Sequence, residues 1–131
     1  MTARMIALCL AAFVAAAPAN AATVEVTDGD SLIYDGVKAE IWGIIAPSRA
    51  ETCTTMAGIN WACGERVFAA LSALAADETF ACIQKEPGFV TCQAGGLDVG
   101  LLLVREGLAR ARQDYAGIEA RAKEARVGIW E

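Results

Sequence analysis

The stretch TVEVTDGDSLIYDGVKAEIWGII, residues 23–45, predicts three antiparallel β-strands in succession. Its first part alternates apolar and polar residues, as in a strand with one buried face. An Asp-Gly-Asp turn at residues 28–30 and an Asp-Gly hairpin signal at residues 35–36 separate the strands. The three strands are predicted at residues 23–27, 31–34 and 37–45.

The remaining chain adds helices and two more strands. Val67, Leu71 and Leu74 recur at helical spacing in an alanine-rich run and predict a first helix. Asp98 is a candidate N-cap for a second helix that Gly107 would end. Two further strands are predicted at residues 79–84 and 89–93, the second helix at 99–105, and a last helix at 115–126. This order predicts an α+β fold, mainly a five-stranded Greek-key β-barrel, with about three helices.

The N-terminus has the pattern of a signal peptide. Arg4 precedes an apolar run at residues 5–17, and Ala19-Asn20-Ala21 is the small-residue motif after which a signal peptidase cuts. A retained membrane helix is the alternative, but the run is shorter than the ~20 residues that a span needs. We therefore expect residues 1–21 to be a cleaved leader and the protein to be exported, to the periplasm or the medium.

The chain after the leader, residues 22–131, has the length of one domain. Loss of Arg4 leaves ten basic residues against 16 acidic ones, a net charge of −6. Because binding to nucleic acid depends on cations that neutralise phosphates, we expect nucleic-acid binding to be weak or absent.

Four cysteines remain after the leader, which is an even number in an exported chain. Four cysteines allow three pairings, and spacing favours Cys53 with Cys63 and Cys82 with Cys92. A zinc site is the competing interpretation, but the chain has no histidine and no Cys-x-x-Cys motif. We expect two structural disulfides.

Five sequence blocks together resemble a staphylococcal-nuclease-like (thermonuclease-family) domain over the whole mature length. They are VTDGDSLIYDG (residues 26–36), IWGIIAP (41–47), WACGERVFAAL (61–71), LDVGLLLVREGLARA (97–111) and EARAKEARVGIW (119–130). The resemblance implies an OB-fold barrel and, in active members, Ca²⁺-dependent hydrolysis of DNA and RNA. Such an enzyme needs several oxygen ligands for the cation, two arginines on the phosphate and a carboxylate that handles the attacking water.

The resemblance leaves one of the metal carboxylates in place. Asp30 matches the first Ca²⁺-binding aspartate, with Asp28 beside it. The alternative role for both residues is turn formation, since Asp-Gly-Asp is favourable turn chemistry. Ile45 stands where the second metal-binding aspartate is expected, and an isoleucine side chain offers no oxygen.

The other catalytic positions implied by the resemblance are also replaced. Glu40 stands in place of the first phosphate arginine, Ser48 in place of the general base, and Pro87 in place of the second arginine. Lys38 or Lys85 could supply a point charge, but not the two-pronged contact of a guanidinium group. No catalytic residue is therefore expected.

Two functions remain open. The first is a nuclease-like domain that has lost phosphodiesterase activity and binds a protein partner or an extended ligand, without a cofactor. The second is a weak or divergent Ca²⁺-dependent phosphodiesterase acting on DNA or RNA, with Asp28, Asp30, Glu40 and Glu51 as a rearranged cluster of oxygen ligands. Trp42 faces away from Ile41 on its strand, so a surface role for this side chain is an alternative to a core one.

Overall fold

We describe the fold from a computed structural model, which covers residues 14–16 and 21–131. The predicted leader, residues 1–21, lies almost entirely outside these described residues. Within them, no helix has the length and apolar character needed to cross a membrane.

The described residues form ten short strands and three α-helices. The strands are β1 Val24–Asp28, β2 Ser31–Tyr34, β3 Val37–Ile41, β4 Ile44–Ile45, β5 Cys53–Thr54, β6 Asn60–Trp61, β7 Ala81–Glu86, β8 Phe89–Ala94, β9 Leu97–Asp98 and β10 Arg110–Ala111. The helices are α1 Cys63–Ala75, α2 Val99–Arg105 and α3 Ala116–Ala125, with 3₁₀ turns at Gln113–Tyr115 and Gly128–Trp130. The predicted α+β class with about three helices is confirmed.

The main sheet has the strand order β1-β2-β3-β8-β7, with β9 added to β8. The β3–β8 pair is parallel and the others are antiparallel. In the described part of the chain, β1 and β7 stand at the two ends of this path and do not pair with each other. Over residues 21–131 the structure therefore shows a multi-strand sheet with helices, and no pairing that closes it into a barrel.

The predicted third strand, residues 37–45, is wrong in its second half. Of this predicted strand, only β3 belongs to the main sheet. The chain then turns at Gly43, whose φ is +81°. A side chain at this position would also meet Tyr115, because a Cβ atom on Gly43 would lie 2.7 Å from the ring. The next two residues form β4, which pairs with β10 in a separate two-stranded sheet. A second such sheet, β5 with β6, lies in a segment expected to be a loop.

The helices agree more closely with prediction. Val67 and Leu71 are fully buried on α1. The bounds of α2 are as predicted, and the Asp98 carboxylate accepts a hydrogen bond from the Leu101 N–H at 2.9 Å. The last helix, α3, begins after a 3₁₀ turn and ends at Ala125, and the next residue, Arg126, has a φ of +52°.

The core lies between the main sheet, α1 and α2. Its largest fully buried side chains are aliphatic, namely Leu32, Ile41, Leu71, Leu103, Val67, Val99 and Val104. Among the described residues, no polar or charged side chain is buried apart from that of Tyr115. Burial of this aliphatic surface is the main stabilising contribution to the fold.

Both predicted disulfides are confirmed. Cys53 is bonded to Cys63, which joins the β5–β6 hairpin to the first residue of α1. Cys82 is bonded to Cys92 directly across the β7–β8 pair. Each closes a loop of ten residues, a constraint worth on the order of 3 kcal/mol.

Candidate functional site

The β1–β2 turn presents two carboxylates to residues 46–51, which we call the site loop. The Asp30 Oδ2 atom accepts a hydrogen bond from the Ala46 N–H at 2.9 Å, and the Ser31 hydroxyl donates to Asp30 Oδ1 at 3.1 Å. The Asp28 Oδ1 atom accepts a hydrogen bond from the Arg49 N–H at 2.7 Å and a second one from the N–H of the next residue, Gly29, at 2.9 Å. Both carboxylates therefore hold the main chain of the site loop.

Two glycines allow the site loop, the turn and α1 to approach closely. A Cβ atom on Gly64 would lie 1.8 Å from the carbonyl oxygen of Ser48, and one on Gly29 would lie 2.6 Å from Val67. The Gly64 N–H also donates to the carbonyl of Glu51 at 3.1 Å. The first turn of α1 is thus packed directly on the site loop.

The arginine of the site loop is already paired. The Arg49 guanidinium donates two hydrogen bonds to the Glu65 carboxylate, at 2.8 and 3.0 Å, and lies 3.8 Å above the centre of the Phe68 ring. The bond from Arg49 lowers the pKa of the Glu65 carboxyl, and the same bond raises the pKa of Arg49. This ion pair was not predicted, because nothing in the sequence brings residues 49 and 65 together.

The positions that the resemblance assigns to catalysis come together at one end of the main sheet. Glu40 on β3 pairs with Ser31 on β2, and its main-chain N–H donates to the Gly88 carbonyl at 2.9 Å. Pro87 precedes Gly88 in the β7–β8 turn. Ser48 lies in the site loop, where its N–H donates to the Glu51 Oε2 atom at 3.1 Å. The three positions are therefore placed near this end of the sheet, but the residues that occupy them are Glu40, Ser48 and Pro87.

Ile45 gives this end of the sheet an apolar side chain. It lies on β4 opposite Arg110 and is 41% exposed. A hard cation such as Ca²⁺ takes six to eight oxygen ligands. Ile45 supplies none, and Asp30 uses its two oxygens on Ala46 and Ser31.

The described ranges contain no assembled cluster of metal ligands. There, no group of three or more His, Cys, Asp or Glu side chains is placed to hold a metal, and Asp28, Asp30, Glu40 and Glu51 form no such group. Glu51 accepts its hydrogen bond from Ser48 at the exposed side of the site loop.

Trp42 packs against a neighbouring aromatic ring beside this site. Its ring meets Phe89 edge to face, with centroids 5.7 Å apart, and the Lys85 Nζ atom lies 6.0 Å from its centre. The indole N–H is buried and has no hydrogen-bond partner in the described part of the chain. Trp42, which follows the last residue of β3, is partly buried, whereas Ile41 is fully buried.

The comparison with known proteins assigns no family. No protein-family model matches the chain, and no curated protein matches it significantly.

Proposed function

We propose that residues 22–131 form an exported, disulfide-bonded nuclease-like domain that has lost phosphodiesterase activity and serves as a binding module. The sequence blocks that resemble the staphylococcal-nuclease-like family motivate the nuclease-like assignment. The two disulfides are compatible with export.

The strand order supports an OB-fold barrel as the finer description. The first three main strands, β1, β2 and β3, form a meander, and the third pairs in parallel with β8. The strand order of the main sheet then reads first, second, third, fifth, fourth. This is the arrangement that a five-stranded, partly open Greek-key barrel uses.

One observation carries the proposed loss of activity. Asp28 and Asp30, the acidic residues nearest to the expected metal position, accept main-chain hydrogen bonds from Arg49 and Ala46 of the site loop. This is a structural role that needs no cation. It explains why the turn carboxylates are present although Glu40, Ile45 and Ser48 replace their catalytic neighbours.

The missing groups are too many for efficient hydrolysis. Loss of one general base or one charge-stabilising donor commonly lowers a rate by about 10² to 10⁴. Glu40 also places a negative charge where a phosphate would need a positive one, which adds repulsion. Even with strongly non-additive effects, we expect hydrolysis close to background.

The test is a nuclease assay on the oxidised mature domain. Single-stranded DNA is incubated with the protein and Ca²⁺, and an Asp30→Ala variant purified in parallel reports contaminating nuclease. We expect the two preparations to give the same background. Ca²⁺-dependent cleavage that Asp30→Ala abolishes would overturn the proposal in favour of a weak phosphodiesterase.

A further inference from the structure

Strand β7 has one unpaired edge. It is the last strand of the main sheet and pairs only with β8 among the described residues. Five of its six residues are exposed. By contrast β1, at the other end of the strand order, packs against α1 through Val24 and Val26.

The hydrogen-bonding direction of β8 identifies which β7 groups are free. The Val90 carbonyl accepts from the Trp42 N–H at 2.8 Å, so the main chain of Val90 faces β3. Gln84 lies opposite Val90, and Cys82 lies opposite Cys92, two residues further along β8. In an antiparallel pair, hydrogen-bonded and non-hydrogen-bonded pairs alternate. Cys82 and Gln84 therefore direct their main-chain N–H and C=O groups to the open edge.

The same two residues line a cavity on the inner face of the sheet. The cavity has a volume of about 270 Å³ and is largely apolar. Its walls include Tyr34, Val37, Ala39, Cys82, Gln84 and Val90. Val37 is 67% exposed there. Side chains of a strand paired with Cys82 and Gln84 would share their face and point toward this cavity.

The outer face and the two ends of β7 add further constraints. Ile83, on the outer face, is 72% exposed. Lys85 and Glu86, of opposite charge, end β7, and the acidic pair Asp77 and Glu78 precedes its start. A strand running antiparallel to β7 would place its C-terminal end by these two carboxylates. Charge complementarity thus favours a basic residue at the end of the partner strand.

We propose that the free edge of β7 binds an extended segment of a partner protein by antiparallel strand addition. Main-chain bonds to Cys82 and Gln84 provide the pairing, and alternate apolar side chains of the partner enter the cavity beside Val37. The proposal rests on the proposed binding role and names its surface and the class of partner.

The probe is the peptide acetyl-EVTVTK-amide. In the antiparallel register its valines lie opposite Gln84 and Cys82, its first threonine lies opposite Ile83, and its C-terminal lysine lies toward Asp77 and Glu78. The peptide is titrated into ¹⁵N-labelled mature domain up to about 5 mM and followed by NMR. We expect saturable shifts at the amides of Cys82 and Gln84 and at Val37.

The matched control peptide carries N-methyl groups on both valines, which removes the two donors and keeps the side chains. We expect it to bind at least about tenfold more weakly. In the protein, Gln84→Pro removes an N–H that faces the open edge, a change that an edge strand tolerates. It should weaken the binding of the unmethylated peptide by a similar factor. Gln93→Ala, at an exposed position of β8 outside the cavity, keeps the edge N–H groups and should bind within about twofold of the parent protein.

Several results would overturn the proposal. They are equal affinity for both peptides, shifts confined to another surface, and no binding at the highest concentration. A fourth is self-association through β7 that excludes the peptide, since it would show the occupant to be a second copy. If the peptide does not bind and the nuclease assay shows no cleavage, only the proposed docking surface is refuted. Ca²⁺-dependent cleavage would instead refute the proposed function itself.

Discussion

Asp28 and Asp30 illustrate how a carboxylate expected at a metal can hold the main chain of a neighbouring loop. Each accepts a main-chain hydrogen bond from the site loop, at 2.7 and 2.9 Å, and both are only partly buried. A charged acceptor of this kind contributes about 1.5–3 kcal/mol at best, and less where water competes.

We expect Asp30→Ala to lower the free energy of unfolding by about 1–2 kcal/mol in the presence of EDTA, because the Ala46 N–H loses its acceptor. Urea unfolding measures this difference. Glu40→Ala is the control, since Glu40 is exposed, and it should change stability by no more than about 0.5 kcal/mol. Equal stability of Asp30→Ala and the parent protein would contradict the structural role.

Tyr115 is the second residue whose surroundings have a measurable consequence. Its hydroxyl lies 2.9 and 2.8 Å from the two carboxylate oxygens of Asp98, and the ring is buried. Burial, and then the hydrogen bond to Asp98, raise the pKa of Tyr115 above its ordinary value of 10.0. The folded state therefore favours the protonated phenol.

The raised pKa predicts a loss of stability in alkali. The stability contributed by the protonated Tyr115 phenol is complete below the pKa of about 10 in the unfolded state. This stability falls as the pH rises through the pKa of the folded state, by up to about 1.4 kcal/mol per pH unit. Urea unfolding between about pH 8 and 11 should show this decline. Tyr115→Phe should lower stability near neutrality by about 1 kcal/mol and flatten the alkaline decline. Parallel pH profiles for the two proteins would contradict the assignment.

At the scale of elements, the contact between α1 and the site loop depends on Gly64. We expect Gly64→Ala to destabilise the fold by about 3 kcal/mol or more, because its Cβ would collide with the main chain of Ser48 and Arg49. Gly117→Ala in α3 is the matched control. It meets nothing within 4 Å and should stabilise by about 0.5–1 kcal/mol. Thermal melts of both variants test the pair, and similar shifts would be inconsistent with the packing.

The elements that depend on local sequence were predicted well. Strand β2, helix α2 with its Asp98 cap and both disulfides follow from alternation, capping chemistry and spacing. The break of the third strand at Gly43 was missed, because it depends on the ring of Tyr115, far along the chain. The β5–β6 hairpin has strands of two residues, too short to give a periodic signal.

The contacts of the candidate site were not predictable from the sequence. By resemblance alone, the sequence places Asp30, Glu40 and Ser48 at the catalytic positions of the family that the chain resembles, and this stays a prediction. It does not reveal that Asp28 binds the Arg49 main chain or that Arg49 pairs with Glu65. Those contacts depend on the path of the site loop past α1, which is set by tertiary packing.

At the scale of the molecule, the fold brings one end of the main sheet, the site loop and α1 together, and Glu40 and Ser48 stand there where the resemblance expects catalytic groups. The acidic balance of the mature chain further disfavours a polyanionic substrate. The open edge of β7 in the described residues and its adjoining cavity begin beside the β7–β8 turn at that end of the sheet, and we propose them as a binding surface that needs neither metal nor phosphate.

The most direct test of the central claim is a thermal melt of the oxidised domain, residues 22–131, with about 5 mM Ca²⁺ and with EDTA. A calcium site of about 1 mM affinity would stabilise the folded state by about 1 kcal/mol and raise Tm by several degrees. We predict the same Tm in both conditions. A Ca²⁺-dependent rise that disappears in Asp30→Ala would contradict the account, because it would show that Asp30 holds a metal.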